Sequence, residues 1–285
     1  MMEIGMFTSG YQRYPLARVF EDAARLGYDY IELWGGRPHA YPPDLAAGDL
    51  GAVLELVERH GVPVGVYTPE HNAYPFNYML GSERQRREAL DYLKTAIEMG
   101  KALGAEYTLI SAGHAGNTAT PAEIRARLVD SLRELAAHAE KTGHQLLLET
   151  LTVYESNHCT TAGELAEVLD AVNSPCLFGM CDVVVPFTTG EPALDYLDKL
   201  GGRMRHLHLV DSDGASDAHL VPGEGRYPLA ELLVELSQRG YTGRATIELV
   251  TAYMNEPTLY ARRALEQLRR MMPQTGAKGG AANDA

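Results

Sequence analysis

Four residues of metal-ligand type each close an apolar run: Leu146-Leu147-Leu148-Glu149, Phe178-Gly179-Met180-Cys181-Asp182, Leu207-His208-Leu209 and Ala245-Thr246-Ile247-Glu248. An ionised carboxylate at the end of a buried strand is very costly unless something pairs it. Within these four strands Arg205 is the one Lys or Arg, so a cation from outside the chain is the economical partner. Three carboxylates and an imidazole make a hard, oxygen-rich donor set. Such a set favours Mn²⁺, Mg²⁺ or Co²⁺ over thiolate-seeking metals, with Zn²⁺ and Ni²⁺ as alternatives. We therefore expect one divalent ion on Glu149, Asp182, His208 and Glu248, with Mn²⁺ the first choice. An octahedral ion with four protein donors keeps two positions for a substrate's adjacent carbonyl and hydroxyl oxygens.

The elements that must bring these residues together are legible in the alternation along the chain. Short β-rich runs at Glu3–Phe7, Tyr30–Leu33, Pro63–Tyr67, Tyr107–Ser111, Gln145–Glu149, Leu177–Asp182, Met204–Leu209 and Ala245–Glu248 are separated by segments of helical period. In one of these Ile124, Leu128, Leu132, Leu135 and Ala139 recur at three- and four-residue steps, after a Thr120-Pro121 start. Glycines such as Gly27, Gly61, Gly104, Gly143 and Gly240 stand where helices should stop before the next strand. Eight β/α units without a Gly-rich phosphate loop predict a closed (β/α)8 barrel of α/β class rather than an open doubly wound sheet. In such a barrel the C-terminal ends of strands five to eight converge, which is where the four ligand-type residues lie. Two long connections, Trp34 to Ala47 and Val210 to Pro228, leave from the same face.

The whole chain sets bounds on this reading. Its 285 residues, 45% hydrophobic, suit a single barrel domain over 1–272, with a small, polar, aperiodic stretch at 273–285 expected to be a disordered tail. No window approaches the ~20 apolar residues that cross a bilayer, and the start lacks a signal-peptide pattern. A formal net charge of −13 with no stripe of Lys and Arg argues against nucleic acid and membrane surfaces as partners. Cys159, Cys176 and Cys181 have no paired redox or metal spacing, which suits buried free thiols in the cytoplasm.

The stretches Gly5-Met6-Phe7-Thr8, Ile31-Glu32-Leu33-Trp34-Gly35-Gly36-Arg37-Pro38-His39-Ala40, Tyr67-Thr68-Pro69-Glu70, Tyr154-Glu155-Ser156-Asn157, His206-Leu207-His208-Leu209-Val210-Asp211-Ser212-Asp213-Gly214-Ala215-Ser216-Asp217, Pro222-Gly223-Glu224-Gly225 and Tyr253-Met254-Asn255-Glu256-Pro257 carry a resemblance. With the four ligand-type residues, they make the chain similar to the ketose 3-epimerase and fructoselysine 3-epimerase families of xylose-isomerase-like TIM barrels, from about Gly5 to Leu268. The resemblance implies a metal-dependent isomerase that inverts C3 of a 2-ketose or ketosamine, of fructoselysine/psicoselysine or D-psicose/D-tagatose type. It also implies a homo-oligomer, dimer or tetramer, and a substrate contact at Glu155. Two positions depart from the free-ketose pattern: Val185 stands where a substrate-contacting His is expected, and Gly214 where an Arg is expected.

Epimerisation next to a carbonyl needs one group to remove a proton and another to return one on the opposite face. Glu149 and Glu248, ending the fifth and eighth strands, are the expected acid/base pair. Trp34 is expected to offer an aromatic wall to the sugar, and His71, His114 and His219 to hydrogen-bond substrate hydroxyls or loop backbone. Glu32, Asp211, Asp213 and Asp217 are candidates for the ammonium of an aminated sugar. Isomerisation, dehydration or lyase cleavage of a keto sugar, including carbon-glycoside cleavage, shares the first proton abstraction. An endonuclease-like hydrolase is disfavoured by the acidic charge and Val185, and a non-catalytic sugar-binding barrel by the complete ligand set.

Overall fold

Side chains on a strand alternate between two faces, so each strand of a closed barrel sends one set inward and the other to the surrounding helices. The computed structural model describes residues 2–273 and follows this rule closely. Strands β1 (Ile4–Phe7), β2 (Tyr30–Gly35), β3 (Val64–Pro69), β4 (Tyr107–Ser111), β5 (Gln145–Glu149), β6 (Leu177–Asp182), β7 (Met204–His208) and β8 (Arg244–Ile247) pair in parallel and in chain order. β1 also pairs with β8, so the barrel closes. The (β/α)8 expectation holds, and three strands, β4, β5 and β6, have the bounds read from the sequence. The domain limit near 272 falls at the end of the described residues, and the tail reading lies almost wholly outside them.

The helices cover the outside: α1 (Leu16–Leu26), α2 (Leu50–His60), α3 (Glu83–Ala102), α4 (Pro121–Thr142), α5 (Ala162–Val172), α6 (Val184–Thr189), α7 (Leu194–Leu200), α8 (Leu229–Gln238) and α9 (Pro257–Met271). Helix α4 buries Ile124, Leu128, Leu132, Leu135 and Ala139, the stripe its sequence period dictates. It opens on a capping box in which the Thr120 hydroxyl accepts from the Glu123 N–H and the Glu123 carboxylate accepts from the Thr120 N–H. It closes on Gly143 at φ 69°, a left-handed corner that costs glycine nothing.

Two separate apolar clusters result. The larger joins the outward strand residues, such as Ile31, Leu33, Leu146, Leu148 and Leu207, to the helices. The smaller, Tyr30, Val66, Tyr107, Leu109, Leu147 and Met180, plugs the barrel interior. Above this plug the inward positions become polar: Glu32, Thr68, Glu149, Asp182, His206 and His208. The interior floor thus forces the chemistry to the C-terminal mouth. The long connection after β2 is not a plain loop; it holds a short helical turn at Pro42–Asp44 that runs through Leu45–Asp49 into α2.

Candidate functional site

β5, β6 and β7 each deliver a side chain to one point, and Glu248 arrives one residue beyond β8. One donor atom from each of Glu149, Asp182, His208 and Glu248 lies within 4.8 Å of the others. Donors held about 2.1 Å from a shared ion stand about 3.0 to 4.2 Å apart, so the spacing fits one cation. His208 Nδ1 sits 3.2 Å from Glu149 Oε1 and 2.7 Å from Glu248 Oε2, yet makes no aligned hydrogen bond and is fully buried. Lone pairs aimed at a common centre, rather than at one another, are what a metal site requires. The residues present therefore fit a divalent ion: three hard carboxylates and an imidazole, with no Lys or Arg paired to them among the described residues.

The electrostatics of these side chains reflect the same crowding. Burial, together with the Glu248 and Asp182 carboxylates, raises the Glu149 carboxyl to about 8 despite the nearby charge of His208. Glu248 is also buried, but the charges of His208 and His219 outweigh that and hold it well below the usual carboxylate range. Burial opposes a charge on His208, and the Glu248 and Glu32 carboxylates overcome it and raise the imidazole well above its ordinary value. Two carboxylates flanking one centre thus have unequal proton affinities, the arrangement that separates an acid from a base. One Asp182 oxygen accepts from the Val184 N–H at 3.0 Å, which fixes the carboxylate at the head of α6.

A cavity of about 350 Å³ opens above the cluster. It is lined by Trp34, His71, Glu155 and His219, the sequence-predicted residues, and by Phe7, Glu70, Asn72, Val185, Asp217 and Met254 around them. Trp34 Nε1–H donates to Glu70 Oε2 at 2.6 Å, so the indole is braced at the wall. His219 Nε2 reaches Asp182 Oδ2 at 2.9 Å and Glu248 Oε2 at 3.3 Å, while Nδ1 bonds the Asp217 carbonyl at 3.1 Å. Glu155 is exposed as a residue but turns its carboxyl inward, where burial and the Asp217 carboxylate raise it to about 7. Both nitrogens of His71 are engaged, Nδ1 with the Pro69 carbonyl and Nε2 with the Ser111 N–H, so it can offer the cavity only a ring edge.

Several expected contacts fall elsewhere. His114 is outside the cavity wall, its Nδ1 accepting from the Gly116 N–H. Asp213 is consumed by its own turn, accepting from the Ala215 and Ser216 N–H groups and the Ser216 hydroxyl. Asp211 staples the same loop through Ser212, Gly223 and Tyr227, and a Cβ at Gly225 would stand 2.3 Å from its Oδ1. Pro222-Gly223-Glu224-Gly225 is thus shaped by that staple. Glu32 is fully buried beneath the cluster, where no ammonium can reach it. Of the acidic group expected to meet an amine, Asp217 alone lines the cavity. Gly214 adopts φ 71°, and a Cβ there would stand 2.8 Å from the Phe187 ring, which leaves no room for an Arg. Glu70 is not among the expected site residues, although it closes the stretch Tyr67-Thr68-Pro69-Glu70 that carries part of the resemblance and follows directly on β3.

A family model of the xylose isomerase-like TIM barrel matches residues 20–271. The chain is 53% identical to fructoselysine 3-epimerase of Shigella flexneri over 273 residues, 96% of this chain and 99% of that protein. Among solved structures it is similar to an apo 3-keto-D-glucoside 4-epimerase from E. coli, with a TM-score of 0.79 and 19% identity, covering 95% of this chain and 100% of that one. It is also similar to D-psicose 3-epimerase with D-tagatose from Clostridium cellulolyticum H10, with a TM-score of 0.78 and 20% identity over 96% and 100% of the two chains. At these identities the two structures speak for the fold alone.

Proposed function

The chain belongs to the xylose isomerase-like TIM barrel family, and we propose that it is a divalent-metal-dependent 3-epimerase acting on a ketosamine of the fructoselysine type. The observation that carries this reading is the convergence of Glu149, Asp182, His208 and Glu248 beneath a sugar-sized cavity, in a homologue of fructoselysine 3-epimerase. Those four residues would hold the ion, with Mn²⁺ the preferred candidate. When bound, such an ion supplies a Lewis acid beside the oxygens on which negative charge develops.

The chain's own groups account for the rest. Glu149 and Glu248 arrive from opposite sides of the mouth, so one removes the C3 proton and the other returns a proton to the opposite face, with roles exchanged in the reverse direction. His219, through Nε2, holds the Asp182 and Glu248 carboxylates at the same centre. Trp34 stacks against the apolar face of the sugar, and Phe7, Val185 and Met254 exclude water from the carbanion-like carbon.

Charge favours an aminated substrate. The cavity wall carries six carboxylates, Glu70, Glu149, Glu155, Asp182, Asp217 and Glu248, and no Lys or Arg. One divalent ion neutralises only part of this, so a substrate bearing an ammonium is better matched than a neutral ketose. Glu155 and Asp217, away from the metal cluster, are the acceptors for it, and one Asp217 oxygen is buried without a partner. Among the described residues no helix is long and apolar enough to cross a membrane, and all three cysteines are free and buried. Free, buried thiols suit a reducing compartment such as the cytoplasm, and a homo-oligomer remains the family expectation.

The test is product analysis. The purified protein with Mn²⁺ and fructoselysine should yield the C3 epimer as sole product by NMR. A dehydrated, cleaved or aldose product would replace epimerisation with one of the reactions sharing its first step.

A further inference from the structure

We propose that Glu32 is the positioning residue of the metal site: it clamps His208 through Nε2 and so forces Nδ1 to face the ion. This rests on the metal reading above but concerns a residue outside the ligand quartet. Glu32, His206 and His208 are all 0% exposed. Glu32 Oε1 lies 3.0 Å from His208 Nε2, and Oε2 lies 2.9 Å from His206 Nε2. The Thr68 hydroxyl donates to Oε1 at 2.8 Å. Among the described residues the two imidazoles are the only ion-pair partners of Glu32.

An ionised carboxylate only accepts hydrogen bonds, so both Nε2 atoms carry their protons toward it. A cation at the cluster would displace the second proton of the imidazole, leaving His208 Nδ1 with a lone pair toward Glu149, Asp182 and Glu248 and the remaining proton on Nε2. A carboxylate behind a ligating His fixes the ring and makes the free nitrogen a better donor. β2 and β7 are not neighbours in the barrel, so this clamp crosses the interior and ties the site to the floor beneath it. His206 is the counterweight: it occupies the second oxygen, and its own Nδ1 has no partner.

Glu32, His206 and His208 also place three donor atoms within 4.8 Å, so a second ion is the rival explanation. The hydrogen bonds already made to both Glu32 oxygens argue against it.

The experiment is equilibrium dialysis with Mn²⁺ on the full chain, with the melting temperature of each metal-free protein measured beside it. The unmodified chain should bind one ion. Glu32→Gln should weaken binding about 10- to 100-fold, while His206→Gln, equally buried and two residues from the ligand, should stay within about threefold. Unchanged affinity in Glu32→Gln, or equal losses in both variants, would overturn the proposal, as would two ions per unmodified chain. No bound ion at all would instead overturn the metal reading itself. If Glu32→Gln does not fold, ¹⁵N NMR of the unmodified chain loaded with Zn²⁺ decides. A protonated, exchange-protected His208 Nε2 supports the clamp, and a protonated Nδ1 contradicts it.

Discussion

A carboxylate that both holds a cation and moves a proton needs one oxygen for each task, and we propose that Glu149 and Glu248 divide their oxygens in this way. Replacing either with Gln keeps a donor oxygen but removes the base. We expect Glu149→Gln and Glu248→Gln each to lower kcat by about 10²- to 10⁴-fold in an epimerisation assay, with the fold intact by circular dichroism. Near-normal turnover in either variant would remove that residue from the proton path. Asp217 and Glu155 should act differently. Asp217→Asn or Glu155→Gln should cost about 10- to 100-fold in kcat/KM on a substrate carrying a protonated amine, the worth of a charge-assisted hydrogen bond. The loss on a neutral ketose should be small, and equal losses on both would show that neither residue recognises the ammonium.

At the scale of elements, the β4 to β6 run shows what can be read from residue types and what cannot. Tyr107–Ser111, Gln145–Glu149 and Leu177–Asp182 were readable because apolar runs end abruptly in polar groups, with glycine or asparagine closing the helices between them. β2 and β3 run further than their patterns suggest, through Gly35 and Pro69, since glycine and proline count against a strand by local preference. The roles of Glu32 and Asp211 could not be read at all. A carboxylate locked into a core network has the same letter as one on a surface loop, and only long-range pairing separates them. Element junctions also set the acid sensitivity. His144, between α4 and β5, is buried against the Thr108 hydroxyl, and burial, helped by Lys101, lowers it to about 4. Its unfolded value is about 6.5, so the unfolded chain binds the proton first. Its contribution is complete above about pH 6.5 and is lost as pH falls toward 4. His144→Gln should therefore flatten the decline of melting temperature between pH 7 and pH 4.5. An unchanged slope would assign the acid sensitivity to other groups.

For the molecule as a whole, a closed barrel with an apolar plug can carry a cluster of like charges at its mouth only because eight strands hold it there. A divalent ion should therefore stabilise the folded chain. At an ion concentration about a hundredfold above Kd, the melting temperature should rise by about 5–10 °C over the chelated protein in calorimetry. No shift with Mn²⁺, Co²⁺ or Mg²⁺ would argue against an ion bound by the fold. The central claim is proton exchange at C3 by two glutamates over this site, and solvent deuterium reads it directly. The Mn²⁺-loaded protein should incorporate deuterium at C3 of fructoselysine in D₂O, with inversion at that carbon, and Glu149→Gln should not. A protein that binds the sugar and the metal yet leaves the C3 hydrogen unexchanged would contradict the account.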